Sequence, residues 1–165
     1  CRRRATARHI QHPQPITSIM KRLILLIAII TGAATSAWAV ELNIDDFFVY
    51  NIMTHRDVTA VQVKGKELKQ YKLSSFRSIT VNNNAKLAKT ALRYIVKDAK
   101  LASQKEEGTK SGRLLYGFYV FKSGNDKNRY LFFRLNNPDA DVVTDITVVD
   151  MEGKATFDEL KQMFK

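Results

Sequence analysis

The chain is almost without cysteine. Cys1 is the only one in 165 residues, so no internal disulfide, cysteine-based metal site or thiol chemistry is available past the first residue. Proline is nearly as scarce: of three, only Pro138 lies beyond residue 39. No Pro-, Gly- or Ser-rich linker interrupts residues 40–165 and no repeat is visible, which predicts one domain there. His55 is the sole histidine of that stretch, too few for a histidine metal centre, and no serine stands in a nucleophile elbow. Acids are missing from residues 1–39, which carry six cations, Arg2, Arg3, Arg4, Arg8, Lys21 and Arg22. The formal charge of +11 therefore shrinks to 21 cations against 16 acids beyond them. A domain that mildly basic gives no reason to expect a nucleic-acid partner.

What the N-terminal stretch does have is the three-part pattern of an export signal. Met20 is followed by Lys21 and Arg22, then by eight apolar residues from Leu23 to Ile30, then by small residues ending in Ala37-Trp38-Ala39. Small side chains at Ala37 and Ala39 suit signal peptidase subsites, which predicts cleavage before Val40. Thr31, Gly32, Thr35 and Ser36 dilute the apolar run below a convincing membrane span. Val40 is not a cysteine, so no lipid anchor is expected. The predicted product is soluble and either periplasmic or secreted. Residues 1–19 (CRRRATARHIQHPQPITSI) would place charge ahead of the signal, and they read as a spurious upstream extension with Met20 as the start.

Beyond Val40 the expected elements follow in order. Asn43 to Met53 reads as a short helix with acids at its N-terminal end. Val58 to Lys64 and Phe76 to Val81 are β-branched strands. Asn82-Asn83-Asn84 is a turn and a helix cap. From Ala85 to about Lys105 a helical wheel gathers Leu87, Ala88, Ala91, Leu92, Tyr94, Ile95, Ala99, Leu101 and Ala102 in one half, with Asp98 the one polar intruder, and Gly108 follows as a stop. Arg113 to Lys122, Arg129 to Leu135 and Val142 to Met151 form a three-strand meander. Thr156 and Glu159 have capping-box spacing for a last helix, Phe157 to Phe164. The fold class predicted is α+β, a two-layer sandwich whose mainly antiparallel sheet of about five strands holds one long amphipathic helix and a short C-terminal helix. The sheet face carrying Arg134, Asp145 and Thr147 is the more polar one.

Most of the chemistry-bearing patterns are better explained by structure. His55-Arg56-Asp57 spells the kinase HRD triplet, but the downstream Asn and the Gly-rich loop that phosphoryl transfer needs are missing. Asn137, Asp139, Asp141 and Asp145 alternate like calcium ligands, yet Val142 replaces the required Gly and no twelfth-position Glu follows, so a polar turn is expected. Asp150 and Glu152 flank a turn and lack the spacing of paired catalytic carboxylates. The aromatics Tyr116, Phe118, Tyr119, Phe121, Tyr130, Phe132 and Phe133 are expected in the core. No cofactor, no metal and no catalytic residue is expected.

One pattern points outward. Lys86, Lys89, Arg93, Lys97 and Lys100 fall on the half of the long helix opposite its apolar residues. Five cations on one face attract polyanions, whether acidic glycans, lipid headgroups or an acidic protein, and Lys69, Lys72 and Arg77 would extend the patch if the fold brought them near. The segments VKGKELKQYKLSSFRSITV (63–81) and VVDMEGKATFDELKQMF (148–164), behind an export signal, resemble small exported proteins of unknown function from Bacteroidetes. That resemblance implies an envelope location and a helix-plus-sheet fold, and transfers no catalytic residue. The expectation is a non-enzymatic exported domain that binds a partner in the envelope or outside the cell. A small hydrolase using Asp, Glu or Tyr, and a structural or assembly subunit, remain open at this point.

Overall fold

A computed structural model of the protein describes residues 40–51, 55–124 and 126–163. Its elements are α1 (Ile44–Asn51), β1 (Val58–Lys64), a 3-10 helix (Lys66–Tyr71), β2 (Leu73–Val81), α2 (Ala85–Asp98) continuing into a 3-10 turn (Ala99–Leu101), β3 (Gln104–Lys110), β4 (Arg113–Ser123), β5 (Lys127–Leu135), β6 (Ile146–Gly153) and α3 (Phe157–Met163).

The two caps form as the residue types predict. The Asn84 carboxamide accepts the Leu87 N–H at 3.0 Å and starts α2. At α3 the Thr156 hydroxyl accepts the Glu159 N–H at 3.2 Å, while the Glu159 carboxylate accepts the Thr156 N–H at 2.8 Å. Helix α2 buries Leu87, Ala88, Ala91 and Ile95. It is shorter than the wheel predicted, because the last turn tightens to 3-10 at Ala99 and the chain is extended by Ala102. Tightening adds about 20° per residue to the rotation. Leu101, expected on the apolar half, is consequently 64% exposed.

The strands form one antiparallel sheet in the order β1-β2-β6-β5-β4-β3. Sequential neighbours pair through β3 to β6, and the return of β6 beside β2 closes the two halves into one sheet. The sixth strand, β3, replaces the helix end and the Gly108 stop that the sequence suggested. Ser111 and Gly112, both at positive φ (51° and 77°), make the tight two-residue turn that pairs Lys110 with Arg113. Gly108 lies inside β3 opposite Tyr116, where a Cβ would fall on the Tyr116 ring. Strand β6 starts at Ile146 rather than at residue 142, and β2 reaches back to Leu73.

Both faces of the sheet are covered. On one, α1 and α2 pack over Ile79, Val81, Tyr119, Phe121, Leu131, Phe133, Leu135, Ile146 and Val148. On the other, the 3-10 helix and α3 bring Leu68 and Leu160 onto Phe76, Phe118, Val120, Tyr130, Val149 and Met151. Leu160 is fully buried, which contributes about 2 kcal/mol of transfer free energy. The two-layer expectation thus becomes a sheet with a helical layer on one face and a smaller helical cover on the other. Among the described residues, no helix is long and apolar enough to cross a membrane.

Candidate functional site

The five candidate cations lie on the solvent side of the helical layer. Lys86, Lys89, Arg93, Lys97 and Lys100 are all exposed on α2 and its 3-10 extension, and among the described residues none of them enters an ion pair. The guanidinium of Arg93 sits 5.4 Å from the Tyr94 ring centroid. Their charge goes uncompensated along the helix for a specific reason. Asp98, the only acid between residues 82 and 105, is fully buried and turned inward. Its Oδ1 accepts the Asn43 N–H at 2.8 Å and the Asn43 Nδ2 at 2.7 Å, and its Oδ2 accepts the Ile44 N–H at 2.9 Å. The one carboxylate of α2 thereby caps α1, and the outer face of α2 is left with cations only.

The ridge does not extend as the sequence suggested. Lys69 belongs to the 3-10 helix and Lys72 pairs with Glu159 of α3, so both lie with the cover on the opposite face of the sheet. Arg77 is buried beneath α1. There it forms, with Asp45, Arg129 and Asp150, a cluster of two guanidinium and two carboxylate groups that sequence reasoning missed. Arg77 Nε donates to Asp150 Oδ2 at 2.7 Å and its Nη2 donates to Asp45. Arg129 donates to Asp150 through Nε at 2.9 Å and Nη2 at 2.8 Å, and to Asp45 through Nη1 at 2.9 Å and Nη2 at 2.7 Å. The Arg77 guanidinium also stacks 4.1 Å from the Phe48 ring centroid. Burial alone would raise the Asp45 carboxyl, but bonding to Arg129 and its charge, helped by the Leu42 N–H and Arg77, hold it below its ordinary value. Arg129 is held more firmly protonated than usual: burial opposes this, and Asp45 and Asp150 outweigh it. Register explains the assembly, since Arg77 faces Asp150 across β2 and β6 while Arg129 sits diagonally on β5. Partners this far apart in sequence leave no local signal.

The remaining candidates are accounted for by folding. Asp150, expected beside a turn, is instead fully buried within β6, and Glu152 lies 3.7 Å from Lys127. Asp139 pairs with Lys110 at 2.8 Å, Asp145 accepts the Asn83 N–H at 3.0 Å, and Asn137 Nδ2 donates to Thr144 at 2.7 Å. The carboxylates of Asp139 and Asp145 thus serve the chain's own donors, Asp141 accepts Arg113 Nη2 through its backbone carbonyl at 2.9 Å, and among the described residues no group of three His, Cys, Asp or Glu side chains could hold a metal ion. Asp57 of the HRD triplet accepts the Asn84 Nδ2 at 3.0 Å, tying β1 to the start of α2. Phe118, Tyr119, Phe121, Tyr130 and Phe133 are core, whereas Phe132 is half-buried and Tyr116 is 41% exposed. The Tyr119 hydroxyl donates to Glu107 at 3.0 Å, and its pKa is raised, first by burial and then by that carboxylate. Ala37 and Ala39 lie outside the described residues. Val40 is the first inside, and its carbonyl accepts Arg129 Nη1 at 2.5 Å.

Fold and surface together define a small α+β domain with a charge-balanced, largely buried cluster inside and a cationic helix outside. Residues 31–164 match the family of unknown function DUF6108, and the chain belongs to that family. No curated protein and no solved structure matches it.

Proposed function

We propose that this domain is a non-enzymatic, exported binding protein of the bacterial envelope, periplasmic or secreted, that engages a polyanionic partner through Lys86, Lys89, Arg93, Lys97 and Lys100. The observation carrying the reading is the exposure of all five cations on one helix whose only acid, Asp98, is buried against α1. Charge of one sign on a rigid, already folded helix costs little ordering when an anion docks. The non-enzymatic part is supported by the fate of the interior charges: Asp45 and Asp150 are committed to Arg77 and Arg129. The export part rests on the signal pattern from Met20 to Ala39.

Retention on immobilised heparin tests the binding. Lys89→Glu, Arg93→Glu and Lys97→Glu combined should abolish retention while leaving the unfolding free energy within about 0.5 kcal/mol of the parent, as exposed substitutions do. Retention unchanged in the triple variant removes the proposal. N-terminal sequencing of host-processed protein tests the export reading, which requires Val40 as the first residue.

A further inference from the structure

We infer that the polyanion met by α2 is the headgroup layer of an anionic lipid bilayer; this rests on the binding reading above and narrows it. The cations do not stand alone on the helical layer. Val96 is 48% exposed and lies one turn from both Arg93 and Lys100, at i−3 and i+4. Leu101, swung outward by the 3-10 turn, is 64% exposed and follows Lys97 by four residues. The neighbouring α1 adds Val49 and Tyr50, 71% and 74% exposed. Four of the six large apolar side chains most exposed among the described residues therefore belong to the layer that carries the ridge.

Helix α1 lies against α2 on the same face of the sheet, its N-terminus held by Asp98 near the end of α2. Residues that these two helices turn away from the sheet thus share one side of the molecule. On that side Asp46 is the exposed acid of α1, and α2 contributes none. A soluble glycan rewards the cations and gains nothing from exposed Val and Leu. A bilayer surface rewards both, since lysine and arginine reach phosphates while short apolar side chains enter the interface between headgroups. On the opposite side of the sheet Lys72 pairs with Glu159 and Lys161 with Glu106, while Lys66 and Lys69 of the 3-10 helix stay exposed. The exposed apolar side chains beside the ridge give the molecule one orientation on such a surface.

Vesicle sedimentation with host-processed protein is the test, using phosphatidylcholine alone and phosphatidylcholine mixed with phosphatidylglycerol. Binding is expected to the anionic vesicles only, and to drop at least about tenfold in the Lys89→Glu, Arg93→Glu, Lys97→Glu variant. Val96→Ser with Leu101→Ser should weaken vesicle binding several-fold and leave heparin retention unchanged. Trp38 is the only tryptophan and precedes the predicted cleavage point. Val96→Trp therefore supplies a single reporter whose emission should shift to the blue with anionic vesicles and stay fixed with heparin. Equal sedimentation with both vesicle types, or no spectral shift, overturns the bilayer inference. Where heparin retention still depends on the three cations, that failure leaves the broader binding reading standing. Heparin retention indifferent to the charge reversal sinks both.

Discussion

Arg129 meets Asp150 two-pronged in the interior, Nε to Oδ1 at 2.9 Å and Nη2 to Oδ2 at 2.8 Å, with neither side chain exposed to solvent. This pair fastens β5 to β6, and through Arg77 and Asp45 it also fastens β2 and α1. Two charges of each sign leave the cluster neutral, which is what makes its burial tolerable. Removing one member strands the others. Asp150→Asn should therefore destabilise the fold by about 3–5 kcal/mol, and Arg129→Met by a similar amount. The double variant should lose clearly less than the two together. Urea unfolding of the four proteins measures this; additive losses would mean the cluster is not energetically coupled.

The same cluster sets the acid limit of stability. Asp45 titrates below its ordinary value of 3.8 when folded. A depressed folded value contributes stability that is fully present above the unfolded value and is lost as pH falls through the folded one. The urea midpoint should hold steady down to about pH 5 and then decline below about pH 4. Asp45→Asn should start from a lower midpoint and show a shallower acid decline. A parent midpoint that is flat to pH 3 would contradict this assignment.

Two glycines under tyrosine rings separate packing from mere proximity. A Cβ on Gly117 would strike the ring end of Tyr119, and one on Gly108 the ring of Tyr116. Tyr119 is buried, bonded to Glu107 and stacked on Phe133 at 6.4 Å, so it has nowhere to go. Tyr116 is exposed enough to swing aside. Gly117→Ala should cost about 1–3 kcal/mol, within the range of overpacking. Gly108→Ala should cost less than about 1 kcal/mol. Thermal unfolding of both variants ranks them, and the reverse order would show that the two rings are equally mobile.

How far these features are legible in the sequence depends on the distance over which each is decided. Asn84, Thr156 and Glu159 act on backbone groups three residues away, so their caps are visible in the order of residues alone. The apolar stripe of α2 and the ridge opposite it follow from the same local periodicity. Strand β3 is hidden because QKEEGTK has the composition of a helix end. It is a strand because it pairs along one edge with β4, and its charged side chains suit an edge that must not recruit another chain. The Ser111-Gly112 turn was the one local sign of it. The Arg77–Asp45–Arg129–Asp150 cluster had no such sign, since its members are brought together only when β6 inserts between β2 and β5. Arg77, counted by charge with the ridge, belongs to the core for that reason.

Asp98 joins the two subjects of core and surface, and its substitution tests both. Its carboxylate satisfies the first backbone donors of α1 and the Asn43 side chain. A polar residue on the buried half of a helix is otherwise a cost, so this placement is repaid only by those bonds. Asp98→Ala should lower stability by about 1–3 kcal/mol and speed amide exchange at Asn43 and Ile44 before that at Leu87 or Ile95. Asp98→Asn keeps one acceptor and should fall between. Because the carboxylate faces inward, neither change should alter heparin retention by as much as losing a single ridge lysine. If Asp98→Asn strengthened retention as strongly as adding a surface cation would, the buried acid would be offsetting the ridge after all, and the charge asymmetry argued for α2 would fail.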